Sequence, residues 1–213
     1  MFIGRFGAGL AGKAARPGVS LGTWFLSVQL VDLLWPLLLL FGWEHVRVAP
    51  GATSLAPFDF YDYPLTHSLA GAFVWSLLFA AAYIWLGRVP AAERVSTALL
   101  LGAGVLSHWV LDFLVHRPLS LWCPAGRKFG LGPWNSPTAE ILLELAIYLL
   151  GIALYLHATR ARDAARRHGL WPLLLLLPGL WLAPLLPATA QPSGGSLGRP
   201  LRLALRRMGL LGR

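Results

Sequence analysis

The chain has 213 residues, 56% of them hydrophobic and only 13% charged, with a mean hydropathy of +0.61. Soluble domains carry roughly a quarter charged residues, so this composition excludes an ordinary water-soluble domain and points to an integral membrane protein. The single cysteine excludes a disulfide framework and any multi-cysteine zinc site. The net charge of +9 is read as orienting Lys/Arg and attraction to anionic headgroups, so the expected partners are membrane lipids and not nucleic acid.

The opening "MFIGRFGAGLAGKAARPG" has no continuous apolar core before its charges and is not read as a secretory signal. Its glycines suit close helix packing rather than a dinucleotide fingerprint. A first span is predicted near 22–42, with Asp32 at mid-depth, followed by the polar connection "EHVRVAPGATSLAPFDFYDYP". A second span near 66–87 opens on His67, and "GRVPAAER" separates it from a third near 96–116. That third span carries His108, Asp112 and His116 at four-residue intervals. At ~100° per residue these drift by about 80°, so all three face one groove, with roughly 12 Å between the outer two. After "HRPLSLWCPAGRKFGLGPWNSP" a fourth span near 137–158 opens on Glu140 and Glu144. An apolar run at 170–187 contains Pro172, Pro178 and Pro184 and is either a short kinked span or re-entrant. The tail 189–213 is basic, and flexible or amphipathic. The expected fold is an all-α integral membrane protein: four to five transmembrane helices in a compact bundle over 1–188.

Lysine and arginine are denser in 1–21, 88–95 and 159–169 than among Arg47, Arg117, Arg127 and Lys128 on the other side, which favours a cytoplasmic N-terminus. The rule falls silent if the fifth segment crosses and carries the tail's arginines over. A second inference needs no orientation. In a chain that alternates direction, the end of span one, the start of span two, the end of span three and the start of span four share a side. Asp32, His67, His108, Asp112, His116, Glu140 and Glu144 therefore gather in one half of the bundle.

An ionisable group at mid-membrane costs at least ~2.5–3.5 kcal/mol, so Asp32 and Asp112 need partners, and a shared cation would serve both. Imidazole with carboxylate suits zinc first, with manganese or iron as alternatives. The plainer readings are a structural His108–Asp112 pair, an Asp32 that hydrogen-bonds a neighbouring helix, and glutamates that complement the positive end of span four. Trp35, Trp43, Trp75, Trp85, Trp122 and Trp134 read as a membrane-interface belt.

The stretches "SLGTWFLSVQLVDLLWPLLLLFGWEHVRVAPG", "PFDFYDYPLTHSL", "SHWVLDFLVHRP" and "GLGPWNSP" occur in order within roughly residues 1–160. They resemble bacterial membrane proteins related to the membrane-bound metal-dependent hydrolase family, the group that includes the LexA-binding, inner-membrane-associated hydrolase. The resemblance implies a bacterial inner-membrane location and a divalent-metal site at Asp32, His67, His108 and Asp112, with His116 close by. Two positions depart from that pattern. Arg5 stands in "IGRFG" where the family has a histidine after glycine, and Leu119 follows Pro118 where relatives continue with aspartate. Arginine cannot ligate a cation, which leaves open a site with fewer ligands, or none.

The expected function is a metal-dependent hydrolase acting on a phosphoester or phospholipid headgroup at the bilayer interface. Asp32, His67, His108 and Asp112 hold the metal, which brings a bound water near neutral pKa. His116 or Glu144 is the catalytic general base, and Arg117, Arg127 and Lys128 bind the substrate phosphate. The alternatives are a non-catalytic scaffold or partner-binding protein with a degenerate metal site and, more weakly, an ion- or proton-coupled transporter. A protein partner or homo-oligomer stays open.

Overall fold

The computed structural model describes residues 1–49, 58–86, 90–115, 119–122, 127–132, 136–159 and 164–182. In chain order these form α1 (Ile3–Ala15), α2 (Leu21–Leu40), β1 (His45–Val48), β2 (Phe58–Asp62), α3 (Pro64–His67), α4 (Leu69–Leu86), α5 (Ala91–Val115), α6 (Pro137–Ala158) and α7 (Ala164–Leu182). The protein is an all-α membrane bundle with one small antiparallel hairpin, and α2, α4, α5 and α6 are long and apolar enough to cross a bilayer.

The long helices turn large apolar side chains outward, as a lipid-facing surface requires. On α4, Phe73, Val74, Leu77, Leu78, Trp85 and Leu86 are exposed, while Ala72, Ser76 and Ala80, at four-residue spacing, are buried. Small residues let α4 and α5 approach closely, and the Ser76 hydroxyl donates to the Gly102 carbonyl at 2.7 Å. α5 begins at Ala91, earlier than the expected 96, because its polar first turn remains helical. Glu93 favours that positive end and pairs with Arg16 at 3.6 Å. α2 is capped by Ser20, whose hydroxyl accepts from Thr23 N at 3.0 Å.

Two departures from the sequence reading shape the site. Residues 1–21 were assigned no element of their own beyond glycines suited to close helix packing, yet most of them form α1, with Met1, Ile3, Arg5 and Leu10 buried. α1 lies chiefly against α6. A Cβ added at Gly7 would sit 2.6 Å from the Ile147 carbonyl oxygen, so glycine is what permits this approach. His67 does not open the second span. It ends the single turn α3, and Ser68, extended at φ −86° and ψ 159°, breaks the helix before α4.

The proline-rich segment is helical as α7. Its apolar part, Leu170–Leu182, covers about 20 Å at ~1.5 Å per residue, short of the ~30 Å hydrocarbon thickness. Pro178 cannot donate to the Leu174 carbonyl one turn back, and the Tyr148 hydroxyl of α6 donates there instead at 2.9 Å. Tyr148, Ile3, Leu10, Leu174 and Leu177 form the apolar core that joins α1, α6 and α7. Residues 183–187 of the segment and the tail 189–213 lie outside the described residues.

Candidate metal centre

Four side chains from three elements converge. Asp32 comes from α2, His67 from the end of α3, and His108 and Asp112 from one face of α5. Asp32 Oδ1 lies 3.4 Å from His67 Nε2 and 3.3 Å from His108 Nε2. Asp112 Oδ2 lies 3.4 Å from His108 Nε2 and 3.9 Å from His67 Nε2. Two carboxylate oxygens and two imidazole nitrogens thus alternate around a closed quartet. Ligand bonds of about 2.0–2.2 Å in a tetrahedral zinc site place neighbouring ligand atoms roughly 3.4 Å apart. Four of the six separations that a tetrahedron requires are 3.3–3.9 Å, and Asp32, His67 and His108 offer ligand atoms that all lie within 4.8 Å of one another.

The hydrogen bonds behind the histidines fix which nitrogen faces inward. His108 Nδ1 lies 3.1 Å from the Val28 carbonyl oxygen, which only accepts, so Nδ1 carries the proton. Thr66 donates its one hydroxyl proton to Glu44 Oε2 at 2.7 Å. The Thr66 oxygen therefore accepts from His67 Nδ1, also at 2.7 Å. Both imidazoles direct an unprotonated Nε2 at the aspartate oxygens. His108 Nε2 is buried with no hydrogen-bond partner among the described residues. Burial, with the neighbouring His108 ring second, pushes the His67 pKa down to about 3, so protonation of His67 does not relieve this crowding of lone pairs near neutral pH. A divalent cation fits this donor set.

Arg5 approaches from the opposite side. Its Nη1 pairs with Asp32 Oδ2 and its Nη2 with Asp112 Oδ1, the latter at 2.5 Å. The guanidinium thus takes the outer oxygen of each carboxylate and leaves the inner pair to the histidines. The Met1 amino nitrogen lies 3.4 Å from Asp112 Oδ1.

A cavity of about 180 Å³ opens beside the quartet, lined by Met1, Arg5, Asp32, Trp35, Phe60, Tyr63 and His67. Asp32, with its side chain 35% exposed, faces this space, whereas His108 and Asp112 are fully enclosed. The aromatic wall is continuous. Ring centroids are 5.6 Å apart for Trp35–Phe60, 5.4 Å for Phe60–Tyr63, 5.0 Å for Tyr63–His67 and 6.2 Å for Trp35–His67. Trp35, expected in the interface belt, is instead part of this wall. Burial pushes the Tyr63 hydroxyl pKa upward, so it stays protonated.

The other expected residues fall elsewhere. Glu144 is buried at the start of α1, where one oxygen accepts from Phe2 N at 2.8 Å and Gly4 N at 3.1 Å and the other from Phe2 N at 2.9 Å. Its carboxylate caps α1 and docks it on α6. Arg127 is exposed over the Phe129 ring, and Lys128 donates to Ser120 Oγ at 3.0 Å; neither lines the cavity. His116 and Arg117 lie outside the described residues. Asp59 and Asp62 are used within the hairpin, paired with Arg47 at 2.6 Å and His45 at 3.0 Å.

Sequence reasoning passed over Glu44, Thr66 and the role of Arg5. Glu44 is the first residue of the polar connection after the first span, yet it is 1% exposed and accepts from Thr66 N at 2.8 Å as well as from the Thr66 hydroxyl. An acid-to-threonine hydrogen bond 22 residues apart leaves no periodic trace in a sequence. Comparison with protein-family models, curated proteins and solved structures finds no match to this chain.

Proposed function

We propose that this protein is a membrane-bound, metal-dependent hydrolase of phosphoesters, with a phospholipid headgroup as the natural substrate at the bilayer interface. The observation that carries this reading is the pair of inward-facing imidazole lone pairs set against two carboxylate oxygens 3.3–3.9 Å away. Asp32, His67, His108 and Asp112 hold the ion, zinc first and manganese or iron as alternatives. When bound, it supplies Lewis acidity and lowers the pKa of water at the site toward neutrality.

The chain's own residues do the rest. Val28 and the Thr66–Glu44 pair hold the two imidazoles in the ligating tautomer. Trp35, Phe60 and Tyr63 limit bulk water in the cavity, and Arg5 presents positive charge to an entering phosphoryl group. Glu144 is committed to α1, so the general-base role falls to His116, and Arg117, Arg127 and Lys128 are left to attract the headgroup at the membrane surface. The reading includes kinship with the membrane-bound metal-dependent hydrolases. It also includes a bacterial inner-membrane location, with the N-terminal segment entering from the cytoplasmic side.

One observation favours a second reading. Arg5 pairs with both aspartates, as it would in a non-catalytic scaffold whose polar core is purely structural. Metal analysis of the purified protein, coupled to a phosphodiester and phospholipid hydrolysis assay, separates the two. The hydrolase shows stoichiometric zinc or manganese and turnover, and both are lost in His108→Ala and Asp112→Ala. A folded protein that binds no divalent ion and turns nothing over refutes it in favour of the scaffold.

A further inference from the structure

Asp32 and Asp112 each divide their two oxygens between two different positive positions. The inner oxygens, Asp32 Oδ1 and Asp112 Oδ2, face the imidazole nitrogens at 3.3–3.9 Å. The outer oxygens, Asp32 Oδ2 and Asp112 Oδ1, are both taken by the Arg5 guanidinium. A carboxylate that gives one oxygen to each of two neighbouring cations is the bridging unit of two-metal hydrolytic centres. Here two such bridges lie side by side, with the ligand quartet at one end and a guanidinium at the other.

Arginine suits that second position for physical reasons. Its planar fork offers separate donors to two carboxylates at once, where a lysine presents a single point charge. It keeps its charge at any ordinary pH and ligates no metal, so it closes the position to an ion. Arg5 is 2% exposed, and its placement is enforced. Gly7 brings α1 into backbone contact with α6, and Glu144 caps the first turn of α1.

We infer that the Arg5 guanidinium is a resident second cation, and that the centre therefore takes one divalent ion where the same carboxylates would otherwise bridge two. The inference rests on the metal-site reading above and adds its stoichiometry and the class of its second positive group. A single divalent ion with one guanidinium leaves the two aspartates and their cations with a net positive charge. Arg5 and Asp32 line the same cavity, so a phosphoryl oxygen entering it meets the ion position and the guanidinium together. Chelation removes only one of the two positive groups.

The test uses the full chain purified in detergent, stripped with a chelator and titrated with zinc or manganese. Elemental analysis is expected to give a single equivalent in the wild type. Manganese-loaded protein is expected to give the paramagnetic resonance spectrum of an isolated ion, even with manganese in excess. Arg5→His removes the fixed charge and adds a ligand nitrogen; it is expected to bind twice as much metal and to show a spin-coupled manganese pair. Two equivalents or a coupled pair in the wild type overturn the inference while leaving the metal-site reading intact. A folded Arg5→His that still stops at one equivalent overturns it as well. Should Arg5→His fail to fold, the wild-type spectrum decides alone. A wild type that binds no ion refutes both proposals. One bound ion without phosphoester hydrolysis supports the inference and removes the hydrolase.

Discussion

Thr66→Val isolates the part of the site that no ligand motif contains. Valine matches threonine in shape but neither accepts from His67 Nδ1 nor donates to Glu44, so two hydrogen bonds of 2.7 Å disappear. The Thr66 N to Glu44 Oε1 bond at 2.8 Å remains, because it is made by the backbone. Leaving one oxygen of a buried carboxylate without its donor costs about 1–3 kcal/mol of fold stability. The imidazole, no longer held in one tautomer, spends part of its time with a proton on the nitrogen that should ligate. Loss of such an outer partner lowers metal affinity ~10–100-fold, or roughly 1.4–2.7 kcal/mol. Competition against a chromophoric chelator, on protein shown to be folded, measures that loss apart from the stability change. Thr66→Ser restores the hydroxyl and is expected to recover most of the affinity. A folded Thr66→Val that binds the ion within about twofold of wild type would refute the claim that Glu44 and Thr66 orient His67.

Three further outcomes follow from separate contacts. In metal-free protein the His67 pKa falls from an unfolded value of about 6.5 to about 3, so its contribution to stability is complete above the unfolded value and is lost as pH falls toward the folded one. The slope is up to ~1.4 kcal/mol per pH unit, visible as a falling melting temperature in detergent, and His67→Asn should flatten it. Tyr148→Phe strands the Leu174 carbonyl that Pro178 leaves without a donor and should destabilise the protein by about 1–3 kcal/mol. Adding Pro178→Ala restores a backbone donor, so a double-mutant cycle with no coupling would contradict that account. Gly7→Val drives a side chain into the Ile147 carbonyl and should cost about 1–3 kcal/mol or dislodge α1. Unaltered melting would show that α1 does not depend on close contact with α6.

Much of the frame is legible because a bilayer imposes a strong pattern. α2, α4, α5 and α6 are long apolar runs between charged or proline-rich breaks, and a run of that length satisfies its backbone groups within itself in hydrocarbon only as a helix. The spacing of His108 and Asp112 on one helix face was equally readable, since the α-helical period fixes it. The contacts that finish the site were not, because each depends on tertiary approach rather than period. α1 carries Arg5, Lys13 and four glycines; the glycines suggest close packing, but the helix they meet shows only in the approach of Gly7 to the α6 backbone. The Ser68 break places His67 beside Asp32; there Ser68 caps α4, accepting from Gly71 N at 2.9 Å, and pairs with Ser120, over fifty residues away in the chain. Glu144 was one of two candidate bases, beside the plainer reading that it complements the positive end of span four. Its actual partners are backbone amides of a segment that the sequence places far off.

Charge balance alone does not account for the arrangement. Arg5 already offsets one of the two aspartates, and a structural polar core needs little more than that, since a buried ion pair contributes little net stability. What such a core would not do is turn both imidazole protons outward. In a hydrogen-bonded core at least one of His67 and His108 would donate inward to the carboxylates, each of which has lone pairs to offer. Here Val28 and the Thr66–Glu44 pair claim both protons, and the inward nitrogens meet only acceptors. Arg5 cannot cure this, because its donors reach the outer oxygens. The unmet demand is therefore local, confined to the inner quartet, and the group that answers it must accept lone pairs from nitrogen and oxygen alike. A divalent cation would do so, and a water molecule, with two hydrogens for four acceptors, would not, which is the physical ground of the metal proposal.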